Sequence, residues 1–455
     1  MGELAPLAVA YDVGSVSPAE VAVGTAGLAP VAFLLPDSPH VRKLRPVLSQ
    51  LGRVVQLTGS PARDVVLVRR LAPAGVLTFS ENLLRVTAGL AHALGLPFHT
   101  PEAAEALTDK YRQRECLRTA GVDAVRCHPI SDPTGWERAL EVVGLPAVVK
   151  PVHGQGSRGT FAISDWAEAE GVCSRVFDDH GGPCVVEELL PGRPSGPLGD
   201  YVSVETATGP DGTRVLAVTG KYPLTPPFRE TGQFWPAALS PEDQEAVSEL
   251  AVRAVSVLGV TTGICHTEIK LTPGGPRIIE VNGRLGGHVN ELSRRACGVD
   301  LVRSAALLAL GAPPPPAPAP PRRVYFQFNG LAPVRPGQLR SLTGGDEIRR
   351  LKGITGYRSY VRPGERLPGG VGSVFMDLLV GDTADHQAMI DLLDRALPLL
   401  RYEFSNGSTV WTESPKRSQT DGSMKVAFGH EDVSRRRDTS FSHRSRTLSD
   451  LRNME

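Results

Sequence analysis

Glu268, Glu280 and Asn282 stand on two apolar runs, residues 264–271 and 277–281, that flank the sequence Thr-Pro-Gly-Gly-Pro. Apolar runs around a Gly/Pro turn predict an antiparallel hairpin. Side chains alternate faces along a strand, so Glu280 and Asn282 share a face, and pairing brings Glu268 to the same point. Three oxygen donors without sulfur suit a hard cation that keeps its waters and binds phosphate, Mg²⁺ or Mn²⁺. Arg284 follows, where a fixed cation can neutralise charge developing on a transferring phosphoryl group or a carboxylate. Taken alone, the same residues also fit a solvated hairpin with ordinary surface acids.

Further upstream, Thr108 or Asp109 is a plausible N-cap for a helix that stops at Gly121, which puts Lys110 in its first turn. A cation there opposes the helix dipole, and a negative ligand nearby would account for it. Residues 147–150 form an apolar strand ending in Lys150, and the chain then enters His-Gly-Gln-Gly-Ser-Arg-Gly at 153–159. Gly156, Ser157 and Gly159 belong to a turn whose backbone N–H groups can close over phosphate oxygens while Lys150 supplies a point charge. A second apolar strand, residues 183–190, carries Glu187, Glu188 and Leu189 and stops at Pro191-Gly192. Such a strand end can offer backbone groups to a heterocycle, although a plain strand end is the more frequent meaning.

The elements that must hold these residues in place are legible more coarsely. At 455 residues the chain has room for about three domains of ~150 residues. Lys plus Arg total 49 and Asp plus Glu total 49, so no global field favours nucleic acid or an anionic membrane. Six cysteines form no CxxC pair and no zinc-like cluster, which suits reduced, packed thiols in a cytoplasm. The first residues lack the positive region of a signal peptide, and no long uncharged apolar segment predicts a membrane span. Up to about residue 105, apolar runs at 31–35, 54–57, 65–68 and 75–79 alternate with helical patterns at 41–51 and 81–94, predicting a parallel sheet covered by helices. No G-x-G-x-x-G follows its first strand, which weighs against a dinucleotide site.

In this order, Thr-Asp-Lys110, Val-Val-Lys150-Pro, the loop 154–159, Val186-Glu-Glu-Leu189, Tyr201-Val-Ser-Val-Glu205 and the Glu268/Glu280-Val-Asn282 hairpin resemble an ATP-grasp carboxylate–amine ligase. The resemblance covers about residues 30–310. Within that family, His266-Thr-Glu268, the segment 277–287 and the segment 226–236 resemble the L-amino-acid ligases that make dipeptides, of the bacilysin and carnosine-synthase type. It implies an ATP-grasp fold: an N-terminal α/β domain over 1–107, a two-lobed ATP-grasp domain over 108–310 hinged near 187–191, and a C-terminal α+β subdomain over 322–413. It further implies ATP held by Lys110, Lys150, the glycine loop, Glu187, Glu188 and Leu189, with Asp200 at the ribose where many relatives have Glu. Glu230, Gln233 and Arg284 are implied at the substrates, Gln233 standing where relatives often have His. The implied reaction joins a carboxylate to an amine through an acyl phosphate, releasing ADP and phosphate; the partners are ATP, an acid and an amine, and a homodimer is admitted. Other chemistry of the same fold, such as carboxylation of biotin or formyl or amine transfer to a nucleotide precursor, and a non-catalytic ATP-binding protein are the alternatives.

Residues 311–321 contain a Pro-rich run that predicts a PPII spacer and a boundary. Beyond it, residues 324–328, glycine-punctuated strands to 379 and an amphipathic helix near 386–400 predict a small α+β lobe. From about 414 the chain becomes Ser/Arg-rich without apolar periodicity, which predicts disorder.

Overall fold

A computed structural model describes residues 4–405 and 409–411. The N-terminal alternation closes into β1 (Leu7–Ala10), α1 (Pro18–Thr25), β2 (Val31–Leu35), α2 (Pro39–Leu51), β3 (Arg53–Gln56), α3 (Pro61–Arg69), β4 (Gly75–Thr78) and α4 (Leu84–Leu94). The four strands form a parallel sheet in the order β3-β2-β1-β4. Leu7 and Val9 pack into one apolar cluster and Ala8 and Ala10 into another, so the period-2 alternation of β1 feeds both faces. Two readings change. The inner strand β1 lies outside the apolar runs from which the sheet is predicted. The run 65–68 is helical, inside α3, where Pro61 opens the helix at a position that needs no N–H.

Next come α5 (Pro101–Thr108) and α6 (Lys110–Thr119), parted at Asp109, whose side chain accepts from the Arg112 N–H and caps α6. A small lobe follows: β5 (Cys127–Ile130), α7 (Trp136–Val143), β6 (Ala147–Pro151), β7 (Phe161–Ile163), α8 (Trp166–His180) and β8 (Cys184–Glu188). Its strands form an antiparallel sheet in the order β5-β8-β6-β7.

The third group is β9 (Tyr201–Gly209), β10 (Gly212–Lys221), β11 (Gly232–Trp235), α9 (Pro241–Val257), β12 (Gly263–Thr272), β13 (Gly275–Asn282), α10 (Val289–Cys297) and α11 (Leu301–Ala309). Then come β14 (Val324–Phe328), β15 (Gly337–Thr343), α12 (Gly345–Arg349), β16 (Ile354–Ser359), β17 (Arg366–Leu367), β18 (Asp377–Thr383), α13 (His386–Ala396), β19 (Arg401–Phe404) and β20 (Thr409–Trp411). One antiparallel sheet of eight strands runs β13-β12-β9-β10-β11-β14-β18-β16. One face of its first half buries Val202, Val204, Val218, Cys265, Ile269 and Val281 against α9 residues Leu250, Ala251 and Ala254. The opposite face is left for polar side chains.

In the C-terminal lobe, β14, β18 and β16 extend the central sheet, and β15, β17, β19 and β20 form a fourth sheet. The Pro-rich stretch has no strand or helix and runs along β9 and β10, where Arg214 Nη1 donates to the Pro314 carbonyl at 3.2 Å. At the other end of the sheet, α6 closes the edge strand β13. Gln113 exchanges two hydrogen bonds with the Val281 backbone, both 2.8 Å, and Arg114 donates to the Ile278 and Ile279 carbonyls at 2.7 and 2.6 Å. An edge covered in this way cannot recruit a further strand. Among the described residues, no helix is long and apolar enough to cross a membrane. The Ser/Arg-rich segment read as disordered lies outside the described residues.

Candidate active site

The polar face of the central sheet is organised in rows by strand register. Asn282 pairs with His266 and His266 with Glu205; Glu280 pairs with Glu268 and Glu268 with Ser203; Lys221 pairs with Gln233 and Gln233 with Gln327. Directly opposite residues of an antiparallel pair lie on the same face. The hairpin thus presents Glu268, Glu280 and Asn282 together, as their spacing predicts. They open into a cavity of about 450 Å³ between this sheet and the small lobe.

Lys110, Lys150, Gly156, Ser157, Glu187, Glu188, Leu189, Glu230, Gln233 and Arg284 line the same cavity. Two of the expected residues do not. Gly159, at φ +70°, packs on Pro151, to whose Cγ a β-carbon would come within 3.1 Å. Asp200 is turned to Lys270, with Nζ and Oδ1 2.7 Å apart, and it is Lys270 that faces the cavity. Asp200 is thus ion-paired to a cavity-lining lysine and does not itself line the cavity.

Lys110 joins two parts of the site. Its Nζ lies 2.9 Å from Glu280 Oε1 and donates to the Gly154 carbonyl at 2.9 Å, so the hairpin and the glycine loop share one cation. Burial alone would depress this ammonium's pKa, yet the Glu280 carboxylate raises it. Lys150 Nζ lies 2.8 Å from Glu187 Oε2, and Arg114 grips the same carboxylate through Nε at 3.0 Å and Nη2 at 2.8 Å. Burial works to raise the Glu187 pKa, but the two cations hold it at about 2. Glu187 is therefore a fixed charge in the cavity wall, held by Lys150 and Arg114. The N–H groups of Glu188 and Leu189 donate to the Arg126 and Pro146 carbonyls, both at 3.0 Å, so these two amides of the expected heterocycle hinge are taken.

Around the hairpin, His266 donates from Nδ1 to the Glu205 carboxylate, and its Nε2 lies 3.5 Å from Glu268 Oε1. Burial opposes charge on this imidazole, but Glu205 raises its pKa to about 9. Glu268, whose pKa burial would raise, is held at about 2, chiefly by His266. Arg284 Nε lies 3.0 Å from Glu81 Oε2, close enough for an ion pair but without hydrogen-bond alignment. Its Nη2 also reaches Asn282 Oδ1 at 3.4 Å. On the far side, Lys221 Nζ donates to Gln233 Oε1 at 3.3 Å and lies 3.5 Å from Glu230, while Gln233 Nε2 donates to the Gly287 carbonyl and Gln327 Oε1. Gln233 is thus fixed as a donor-acceptor bridge with no proton to transfer.

The donor set fits a hard divalent cation: the Glu268 and Glu280 side-chain oxygens and the Asn282 amide oxygen. Among the described residues, no three or more His, Cys, Asp or Glu side chains cluster as metal ligands, so the amide is required to complete a set of three. All six cysteines are free. Sequence reasoning missed Glu81, Arg114, Lys221 and Lys270. Arg114 had a signal, four residues after Lys110 on one helical face. Glu81 had none, because it reaches the hairpin only through the fold.

A central antiparallel sheet facing a small antiparallel lobe across a cavity lined by lysines and paired acids is the ATP-grasp fold. Residues 107–288 match the profile of the ATP-grasp domain. The chain superposes on the crystal structure of an L-amino acid ligase from Bacillus licheniformis with a TM-score of 0.70, covering 91% of this chain and 100% of that one at 21% identity. In sequence it is 32% identical over 279 residues to carnosine synthase 1 of Mus musculus, covering 57% of this chain and 33% of the relative. It is 27% identical over 265 residues to alanine–anticapsin ligase of Bacillus subtilis (strain 168), covering 54% and 53%. The chain thus spans about a third of the first of these relatives and about half of the second.

Proposed function

We propose that this protein is an ATP-dependent ligase that joins a carboxylate, in the first place that of an amino acid, to an amine, forming an amide with release of ADP and phosphate. The observation that carries the reading is the cavity in which the Glu268/Glu280/Asn282 hairpin faces Lys110 and Lys150. The resemblance to amino-acid and dipeptide ligases supports it.

A carboxylate is a poor electrophile at neutral pH, so the acid is first phosphorylated by the γ-phosphoryl group of ATP and the amine then displaces phosphate. Lys110 and Lys150 neutralise phosphate oxygens, and the loop 154–159 shields the acyl phosphate from water. Glu268, Glu280 and Asn282 would hold Mg²⁺ or Mn²⁺, which when bound supplies charge neutralisation at the phosphates. Arg284 stabilises the oxyanion formed as the amine adds. Glu230 and Gln233, anchored by Tyr201 and Lys221, orient the substrates. ATP, an acid and an amine are the partners this chemistry requires, and free thiols suit a cytoplasmic setting. We further propose 1–107, 108–310 and 322–413 as functional segments, the last of which completes the central sheet begun by the second.

Purified protein, MgATP and pairs of amino acids, with ADP release and product mass recorded together, test the reading. A mass equal to acid plus amine less water, stoichiometric with ADP, is expected. ATP consumption without any such condensation product across the panel would sink it.

A further inference from the structure

Glu205 on β9 is the most completely buried acid among the described residues, with no exposed surface, and nothing in the scheme above uses it. A carboxylate removed from water is costly unless it is paired and hydrogen-bonded. Glu205 has both kinds of partner. One oxygen accepts from His266 Nδ1 and the other from the Gly286 N–H at 3.2 Å. The second ring nitrogen of His266 reaches Glu268 Oε1 at 3.5 Å. At position 286 a β-carbon would lie 2.3 Å from His266 Nδ1 and 2.8 Å from Glu205 Oε1, so only glycine lets the chain approach this closely. Register repeats the arrangement: Glu205 stands opposite His266, and His266 opposite Asn282. One carboxylate therefore ties together β9, β12 and the segment after β13 that carries Arg284.

We propose that Glu205 is a positioning residue: through His266 it aims the Glu268 carboxylate, and through Gly286 it fixes the backbone beneath Arg284, so that both face the cavity in a set geometry. Acids and imidazoles one layer behind a metal-binding carboxylate limit its rotation, and their loss typically weakens metal binding 10–100-fold. The inference rests on the ligase reading in taking Glu268 as a metal ligand. A merely structural buried pair would alter stability and leave divalent-ion affinity alone.

The test is Mn²⁺ binding in the presence of ADP, where no turnover occurs, followed by the electron paramagnetic resonance signal of free Mn²⁺ for wild type, Glu205→Gln and His266→Asn. Thermal midpoints without metal are measured on the same preparations. Both variants are expected to bind Mn²⁺ about tenfold more weakly or worse, with metal-free ADP affinity unchanged. His266→Asn leaves Glu205 a hydrogen-bond donor but cannot reach Glu268, so it decides the matter even if Glu205→Gln does not fold. Wild-type Mn²⁺ affinity in the folded variants, whatever their thermal midpoints, overturns the proposal alone. Wild-type protein that binds no Mn²⁺ with ADP overturns the ligase reading together with it.

Discussion

Glu280 meets Lys110 at 2.9 Å, and that lysine also holds Gly154, so one carboxylate sets both the charge of the hairpin and the position of the glycine loop. Glu280→Gln keeps the shape and removes the charge. Losing one charged ligand is expected to lower kcat roughly a thousandfold, about 4 kcal/mol of transition-state stabilisation, in a protein whose circular dichroism is unchanged. Undiminished ADP release by the folded variant would remove Glu280 from the metal set. Arg284 is a sharper case. Its partners are Glu81 at 3.0 Å and Asn282 at 3.4 Å. Burial raises the Glu81 pKa, with Arg284 acting against that shift. Arg284→Lys replaces a planar fork by a point charge, so kcat should fall at least tenfold while the KM for ATP stays near wild type. If Arg284 only braces Glu81, the thermal midpoint falls instead and kcat at saturating metal stays near normal.

At the scale of elements, the hairpin was legible because its signal is local: alternation sets the face, and Gly/Pro residues set the turn. The same holds for α6, whose Asp109 cap and Lys110 follow from adjacent residues. What escaped were contacts across the fold, such as Gln113 and Arg114 sealing β13 and Glu81 meeting Arg284, since no spacing in the chain encodes them. The ion pair of Asp200 with Lys270 of β12 escaped for the same reason. His99, in the turn before α5, is another long-range case. It is wholly enclosed, its Nε2 lies 2.8 Å from the Gly283 carbonyl, and its Nδ1 has no hydrogen-bond partner. Burial lowers its pKa from 6.5 to about 4. A depressed imidazole pKa means that the stability it supports is complete above pH 6.5 and is lost as pH falls toward 4. The loss by pH 4 amounts to about 3 kcal/mol. His99→Gln can still donate to Gly283 and does not titrate, so urea unfolding should show a smaller fall in stability between pH 7 and pH 4 than in wild type. Equal falls in the two proteins would exclude His99 as the source.

For the molecule as a whole, the question is whether the segment after the Pro-rich stretch is an accessory lobe or part of the core. Composition puts a boundary there, with prolines at 313–316, 318, 320 and 321. The sheet argues otherwise. Residues Gly232 to Trp235 of β11 pair with Tyr325 to Phe328 of β14, and Phe326 and Phe328 pack with Tyr222 and Phe234 from the other side of the boundary. Phe326 is fully buried and Phe328 nearly so. Burying two phenylalanines and Val324 contributes on the order of 6 kcal/mol, comparable with the whole stability of a typical domain. The cavity also takes Gln327, Asn329, Ser373 and Phe375 from this part. A fragment ending at residue 321 should therefore leave β11 as an unpaired apolar edge, melt without cooperativity, aggregate at micromolar concentration and release no ADP. Thermal denaturation and size-exclusion chromatography of residues 1–321 beside the full chain supply the measurement. A monomeric fragment with a sharp melting transition would show that the chain divides at its prolines after all, and that β14 docks on a core already complete.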